Sequence, residues 1–195
     1  MNLGKKEFIR ESFELYKIGL DKNILREGGR LTRATFINIV GIGCMLNEFE
    51  WIEVFINKYN DDIPAVEREA VVGLSLGIFN YSKKDFGKAE RYFIEATPND
   101  ILLNLLNRNW LLRTYYKLGK EDELELLIES MGKYLMRKEI VGYARDIYKN
   151  IFSLMKKLVN LNVYDSEDRK KFKNNVQEIN PMTNSMREWF LEQVQ

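Results

Sequence analysis

Apolar and aromatic side chains recur in this chain at a constant interval, and that recurrence restricts the folds open to it more than any other feature. Leu46, Tyr81 and Tyr116 stand 35 positions apart, as do Val54, Ala89 and Leu124. The same shift aligns Met45, Asn80 and Tyr115 and sets Trp51 over Phe86. Residues that fill equivalent places in stacked units recur in this way, because each unit buries its apolar face only against its neighbours. The match is degenerate: Glu121 replaces the aromatic, Lys58 stands opposite Phe93, and Gly77 aligns with Ile42 and Leu112.

The central unit, REAVVGLSLGIFNYSKKDFGKAERYFIEA from Arg68 to Ala96, reads as two amphipathic helices joined by a short polar turn. Leu76 and Gly77 lie on the first helix and Phe86 opens the second. Ala89, Phe93 and Ala96 follow on one face, so small and aromatic side chains alternate where two helices must approach closely. The three prolines, Pro64, Pro98 and Pro181, fall between helical patterns, where a missing amide does least harm. No stretch alternates strictly between apolar and polar residues around a hairpin turn such as Asn-Gly, and the chain therefore reads as all α.

Helices are expected at about Lys5 to Leu20, Thr32 to Leu46, and from near Asn47 through Tyr59; then come the two of the central hairpin. Three more cover about Asp100 to Leu118, Glu121 to Lys138 and Val141 to Leu161. Between the first two, DKNILREGGR reads as a turn, since Gly28 and Gly29 discourage helix continuation. Thr97 or Asn99 is the expected cap of the helix after the hairpin. Beyond Asn162 a polar segment with Phe172, Val176 and Ile179 at helical spacing suits a capping helix. The closing PMTNSMREWFLEQVQ has Ser185 and Glu188 in capping-box spacing before Trp189, Phe190 and Val194.

Composition removes several kinds of chemistry. The chain has no histidine and one cysteine, Cys44, which leaves no zinc site and no Ser-His or Cys-His pair to be built. Lys plus Arg number 30 and Asp plus Glu number 29, so no overall field attracts nucleic acid or an anionic surface. No apolar run approaches the roughly 20 residues that cross a bilayer, and the first residues lack the apolar core of a secretion signal, which makes the cytoplasm the expected compartment. Glu121, Glu125 and Glu129 form one line of carboxylates continued by Lys133, read as a solvated face with a Glu129–Lys133 pair. The pairs Glu11 with Glu14 and Asp61 with Asp62 are read the same way. Gly41 and Gly43 are expected to be close-packing sites, and Cys44 a small core residue. Lys156 and Lys157 with Arg169, Lys170, Lys171 and Lys173 form a basic cluster that Glu167 and Asp168 interrupt; an RNA-reading helical repeat is the alternative it raises, against which the near-neutral balance argues.

The spacing of small and aromatic residues in the central hairpin resembles the tetratricopeptide repeat. The segments NEFEWIEVFINKY, LLRTYYKLG and REWFLEQV are similar to the C-terminal part of large bacterial tetratricopeptide proteins, notably from Bacteroidetes. The resemblance implies a right-handed superhelix of antiparallel helix pairs, with about nine or ten helices in one helical-repeat domain over 1–195. Residues 1–30 would form the N-terminal helix and connection, 31–161 the repeat hairpins, and 162–195 the capping helices. It implies a non-enzymatic scaffold without cofactor or metal, binding a peptide or helix, or another region of a longer parent chain, in a concave groove. The groove positions by this register are Phe36, Ile39, Leu74, Ile78, Tyr81, Asn109, Arg113 and Tyr116. Ile39 and Leu74 stand where the family's carboxylate-gripping pattern has asparagine, so an apolar groove fits better than a peptide-terminus clamp.

Overall fold

The computed structural model describes residues 3–137 and 142–195. The chain forms two compact units, Met1–Leu118 and Gly119–Gln195, and the division falls inside the 31–161 stretch that the repeat spacing treats as continuous. The first unit contains α1 (Leu3–Asp21), β1 (Arg26–Glu27), β2 (Arg30–Leu31), α2 (Arg33–Met45), α3 (Phe49–Tyr59), a 3₁₀ turn (Asn60–Asp62), α4 (Ala65–Ser82), α5 (Phe86–Glu95) and α6 (Ile101–Leu118). The second contains α7 (Glu121–Arg137), α8 (Tyr143–Val159), α9 (Ser166–Glu178) and α10 (Asn184–Glu192). Among the described residues the fold is all α apart from one small hairpin, and the expected helix ends at Lys138 and Val141 lie outside them.

That hairpin corrects the sequence reading. Arg26 pairs with Leu31 and Glu27 with Arg30 around Gly28 and Gly29, whose φ angles of 57° and 81° meet the demand of a tight two-residue turn for two positive angles. Two residues per strand are too few to show alternation, so the Gly-Gly pair was the only signal. The Arg26 guanidinium holds the hairpin in place, donating to Asp62 Oδ2 at 3.0 and 2.6 Å and lying 5.9 Å from the Tyr59 ring centre.

Several helix starts are capped by side chains, two of them not where the spacing predicts, while α3, α4 and α8 have no side-chain cap among the described residues. Thr32 accepts from the Thr35 amide and Asp85 from the Lys88 amide. The Lys88 ammonium, 2.9 Å from the carboxylate, and then that amide hydrogen bond hold the Asp85 carboxyl below its ordinary pKa. Asp100 caps α6, accepting from the Leu103 amide at 2.9 Å, in place of Thr97 or Asn99. Thr183 caps α10 in extended backbone, accepting from the Met186 amide, in place of the Ser185–Glu188 box. The exits of α2, α4 and α6 share one device: Asn47, Lys84 and Gly119 take left-handed φ angles of 61°, 64° and 66°. The next amides, of Glu48 and Asp85, donate back to the Gly43 and Asn80 carbonyls at 2.9 Å, the bonding of a Schellman close.

In the first unit α1 packs on α2, while α4 packs against α2, α3, α5 and α6. Gly77 permits the α4–α5 approach, since a Cβ there would lie 2.3 Å from Phe93 Cε1; at Gly43 one would lie 2.3 Å from Ile52 Cδ1. Gly41 faces open space, so only Gly43 of the expected pair is a close-packing site. Aromatic rings tie α1, α2 and α3 together: Trp51 meets Phe13 at 5.0 Å and Phe55 at 5.5 Å, and Phe55 meets Phe36 at 4.9 Å. Asn107 on α6 closes the end of α5 by donating from Nδ2 to the Phe93 and Ala96 carbonyls at 2.8 and 3.0 Å.

In the second unit α7 packs on α8, α8 on α9 and α9 on α10. Ile151, Leu154, Met155 and Leu158 of α8 are buried, as are Phe172, Val176, Met186 and Phe190. Arg187 of α10 performs for α9 what Asn107 does for α5, donating to the carbonyls of Val176, of Gln177 at 2.7 Å and of Ile179 at 2.8 Å.

Candidate partner-binding cleft

The register-derived groove does not stay open. Phe36, Ile39 and Leu74 are fully buried and Ile78 is 3% exposed, so these four residues are core and offer a partner no surface. The reason is packing: α2 lies directly on α4, and the apolar side chains on the facing sides fill the space that a groove would need. Asn109 and Arg113 are buried as well. Tyr81 and Arg113 meet at Trp110, the first edge-on at 5.1 Å between ring centres and the second with its guanidinium 4.5 Å from the ring. Tyr81 and Tyr116 are half-buried, and desolvation pushes the Tyr116 hydroxyl pKa up. Of the eight positions, these two tyrosines alone keep appreciable solvent contact.

An accessible cleft lies instead between α4 and the end of α5. Its cause is a mismatch in length, for α4 has 18 residues and α5 only 10. At 1.5 Å per residue the first turns of α4 run on past the point where α5 stops. The contact closes at Gly73, whose missing Cβ would sit 3.1 Å from Ala96 Cβ. From there Ala65, Arg68, Glu69, Val72 and Gly73 face Tyr92, Glu95 and Ala96 across about 470 Å³, with Asn60 at one end. That volume falls within the range of small-ligand and side-chain pockets. Sequence reasoning missed this cleft because it began the first helix of the hairpin at Arg68; starting it directly after Pro64 would have exposed the overhang.

Charge in the cleft is distributed unevenly. Arg68 is turned toward the end of α3: Nη1 pairs with the Asp61 carboxylate at 3.0 Å, and Nη2 donates to the Asp61 and Ile63 carbonyls at 3.1 and 3.2 Å. Glu69 and Glu95 are exposed, and among the described residues neither carboxylate makes an ion pair or hydrogen bond.

The other chemical candidates resolve into structural roles. Asp61 and Asp62 pair with Arg68 and Arg26, and Glu14 with Lys17. Glu121, Glu125 and Glu129 are exposed, and the expected Glu129–Lys133 pair does not form among the described residues. No group of three His, Cys, Asp or Glu capable of holding a metal occurs among the described residues. Burial pushes the Cys44 thiol up to about 11, so it stays protonated at neutral pH. In the basic cluster Arg169 donates to the Val163 carbonyl, Lys171 pairs with Glu167, and Lys157 reaches Asn175 Oδ1. No described helix is long and apolar enough to cross a membrane. Compared with protein-family models, with curated proteins and with solved structures, the chain matches none.

Proposed function

We propose that this protein is a non-catalytic, tetratricopeptide-like scaffold whose stacked helix pairs hold a segment of another protein, or of a longer parent chain. The observation that carries the reading is the cleft at the overhang of α4 beyond α5, with an apolar floor at Val72, Gly73 and Ala96 and polar walls at Glu69, Tyr92 and Glu95. Such a lining, mostly apolar with a few polar groups converging on it, suits a side chain or short segment docked from outside. The repeated left-handed closes at Asn47 and Lys84, and the packing of α4 against both α2 and α6, support a layered arrangement in the first unit.

The test uses the full chain as bait, with Val72→Arg and Tyr92→Ala as cleft variants. Partners retained by the wild type and lost from both variants, at unchanged helical circular dichroism, support the reading; partners retained equally by both count against it. A Tyr116→Ala and Arg113→Ala double variant is a poorer probe, because Arg113 is 6% exposed and its loss disturbs the packing around Trp110.

A further inference from the structure

The charge of the cleft points to the kind of segment it accepts. We propose that the α4–α5 cleft takes an arginine or lysine side chain from a basic partner segment, held between the Glu69 and Glu95 carboxylates with its stem on the Val72–Gly73 floor. The inference rests on the scaffold reading and specifies the chemistry of the partner.

Three observations converge on it. First, α4 and α5 are antiparallel partners in contact at Gly73 and Ala96. Glu95 is the last residue of α5, beside that contact, and Glu69 lies four residues, about 6 Å along the axis, from Gly73 toward the start of α4. Both carboxylates therefore border the same open end. Second, no ion pair among the described residues neutralises their charge. Arg68, the one cation among the described lining residues, is committed to Asp61 and to the carbonyls that end the 3₁₀ turn. Arg91, one turn before Glu95, forms no ion pair with it among the described residues. Third, the lining supplies what a long cationic side chain needs: Val72 offers apolar surface to an aliphatic stem beside the two carboxylates, and Tyr92 borders the same cleft. An anionic segment would meet two unpaired carboxylates, and like-charge juxtaposition rejects it.

The experiment titrates an acetylated, amidated hexa-arginine peptide into the isotopically labelled full chain and follows backbone amide resonances. Hexaglutamate and a neutral leucine–serine hexapeptide serve as controls. The expected result is a saturable shift of the Glu69, Val72, Gly73 and Ala96 amides with hexa-arginine and none with hexaglutamate. Affinity should fall about tenfold in Glu69→Gln/Glu95→Gln, the size of two charge-assisted contacts near 0.7 kcal/mol each. The double variant Glu125→Gln/Glu129→Gln, on α7, should bind as the wild type does. Equal affinity in Glu69→Gln/Glu95→Gln, or shifts centred on Glu121–Glu129, overturns the proposal. A shift of the cleft amides by the neutral peptide without one by hexa-arginine overturns it too, while leaving the scaffold reading standing. Silence from all three peptides overturns the proposal and removes the cleft as the carrier of the scaffold reading.

Discussion

Arg33 and Asp100 are 67 positions apart in the chain and 3.1 Å apart in the fold, joined by the Arg33 Nη2 donor and a carboxylate oxygen. The same guanidinium reaches Glu67 at 3.3 Å. Arg33 is the first residue of α2, Glu67 lies in the first turn of α4, and Asp100 caps α6, so one side chain ties together the starts of three alternate helices set at near-repeat spacing. Both acids also sit at helix N-termini, where the helix dipole favours negative charge.

Replacing Arg33 with glutamine is expected to cost about 1 kcal/mol, since all three groups keep substantial solvent contact and exposed pairs contribute little unless they form a network. Thermal denaturation in low and high salt checks this. The deficit should shrink as salt rises, and a salt-independent deficit would show that the guanidinium acts through packing alone.

Gly77→Ala should destabilise by about 1–3 kcal/mol, because the new methyl enters the Phe93 ring and the core cannot widen without moving α4 from α5. Gly41→Ala, inside α2 and facing open space, should instead stabilise by about 0.5–1 kcal/mol through helix propensity. Urea denaturation of the two variants should give shifts of opposite sign.

Lys84 holds a left-handed φ of 64° at the close of α4, a conformation that costs most L residues energy and glycine almost none. Lys84→Gly should therefore raise stability by about 0.5–1 kcal/mol, measured as a higher denaturation midpoint at unchanged m-value.

Asn107→Leu should cost about 1–3 kcal/mol, because it removes both donors from the Phe93 and Ala96 carbonyls. Amide hydrogen exchange is the discriminating measurement: protection should fall first in the last turn of α5.

Cys44 supplies a pH signature. Its thiol is raised from 9.0 to about 11 by burial, against the opposing effect of a hydrogen bond with Ser82. Between those values the unfolded chain has lost the thiol proton and the folded chain has kept it, so the contribution to stability is complete below pH 9 and declines as pH rises toward 11. The stability difference between wild type and Cys44→Ala should narrow or reverse over that window. At pH 7.5 a thiol reagent should label the native protein far more slowly than the urea-unfolded one.

Much of this architecture is legible in the residues. The 3.6-residue periodicity marks where the helices lie, and the Gly77–Phe93 contact follows from small and aromatic spacing in the central hairpin. The basis is local: backbone hydrogen bonding and side-chain volume act within a few residues of one another. The caps at Asp100 and Thr183 were harder to read, since several cap-competent residues stand in each connection and the backbone angle of the final fold selects among them.

Periodicity says which side chains share a helix face, but not which neighbour covers that face. Leu74 and Ile78 share a face that α2 and the surrounding core close over, whereas Glu69 and Tyr92 border open space because α5 ends early. Covering or exposing a face depends on the lengths of helices distant in sequence and on how they come together. Residue order by itself therefore determined where the helices lie and the Gly77–Phe93 approach, and tertiary packing alone decided which surface is left to receive a partner.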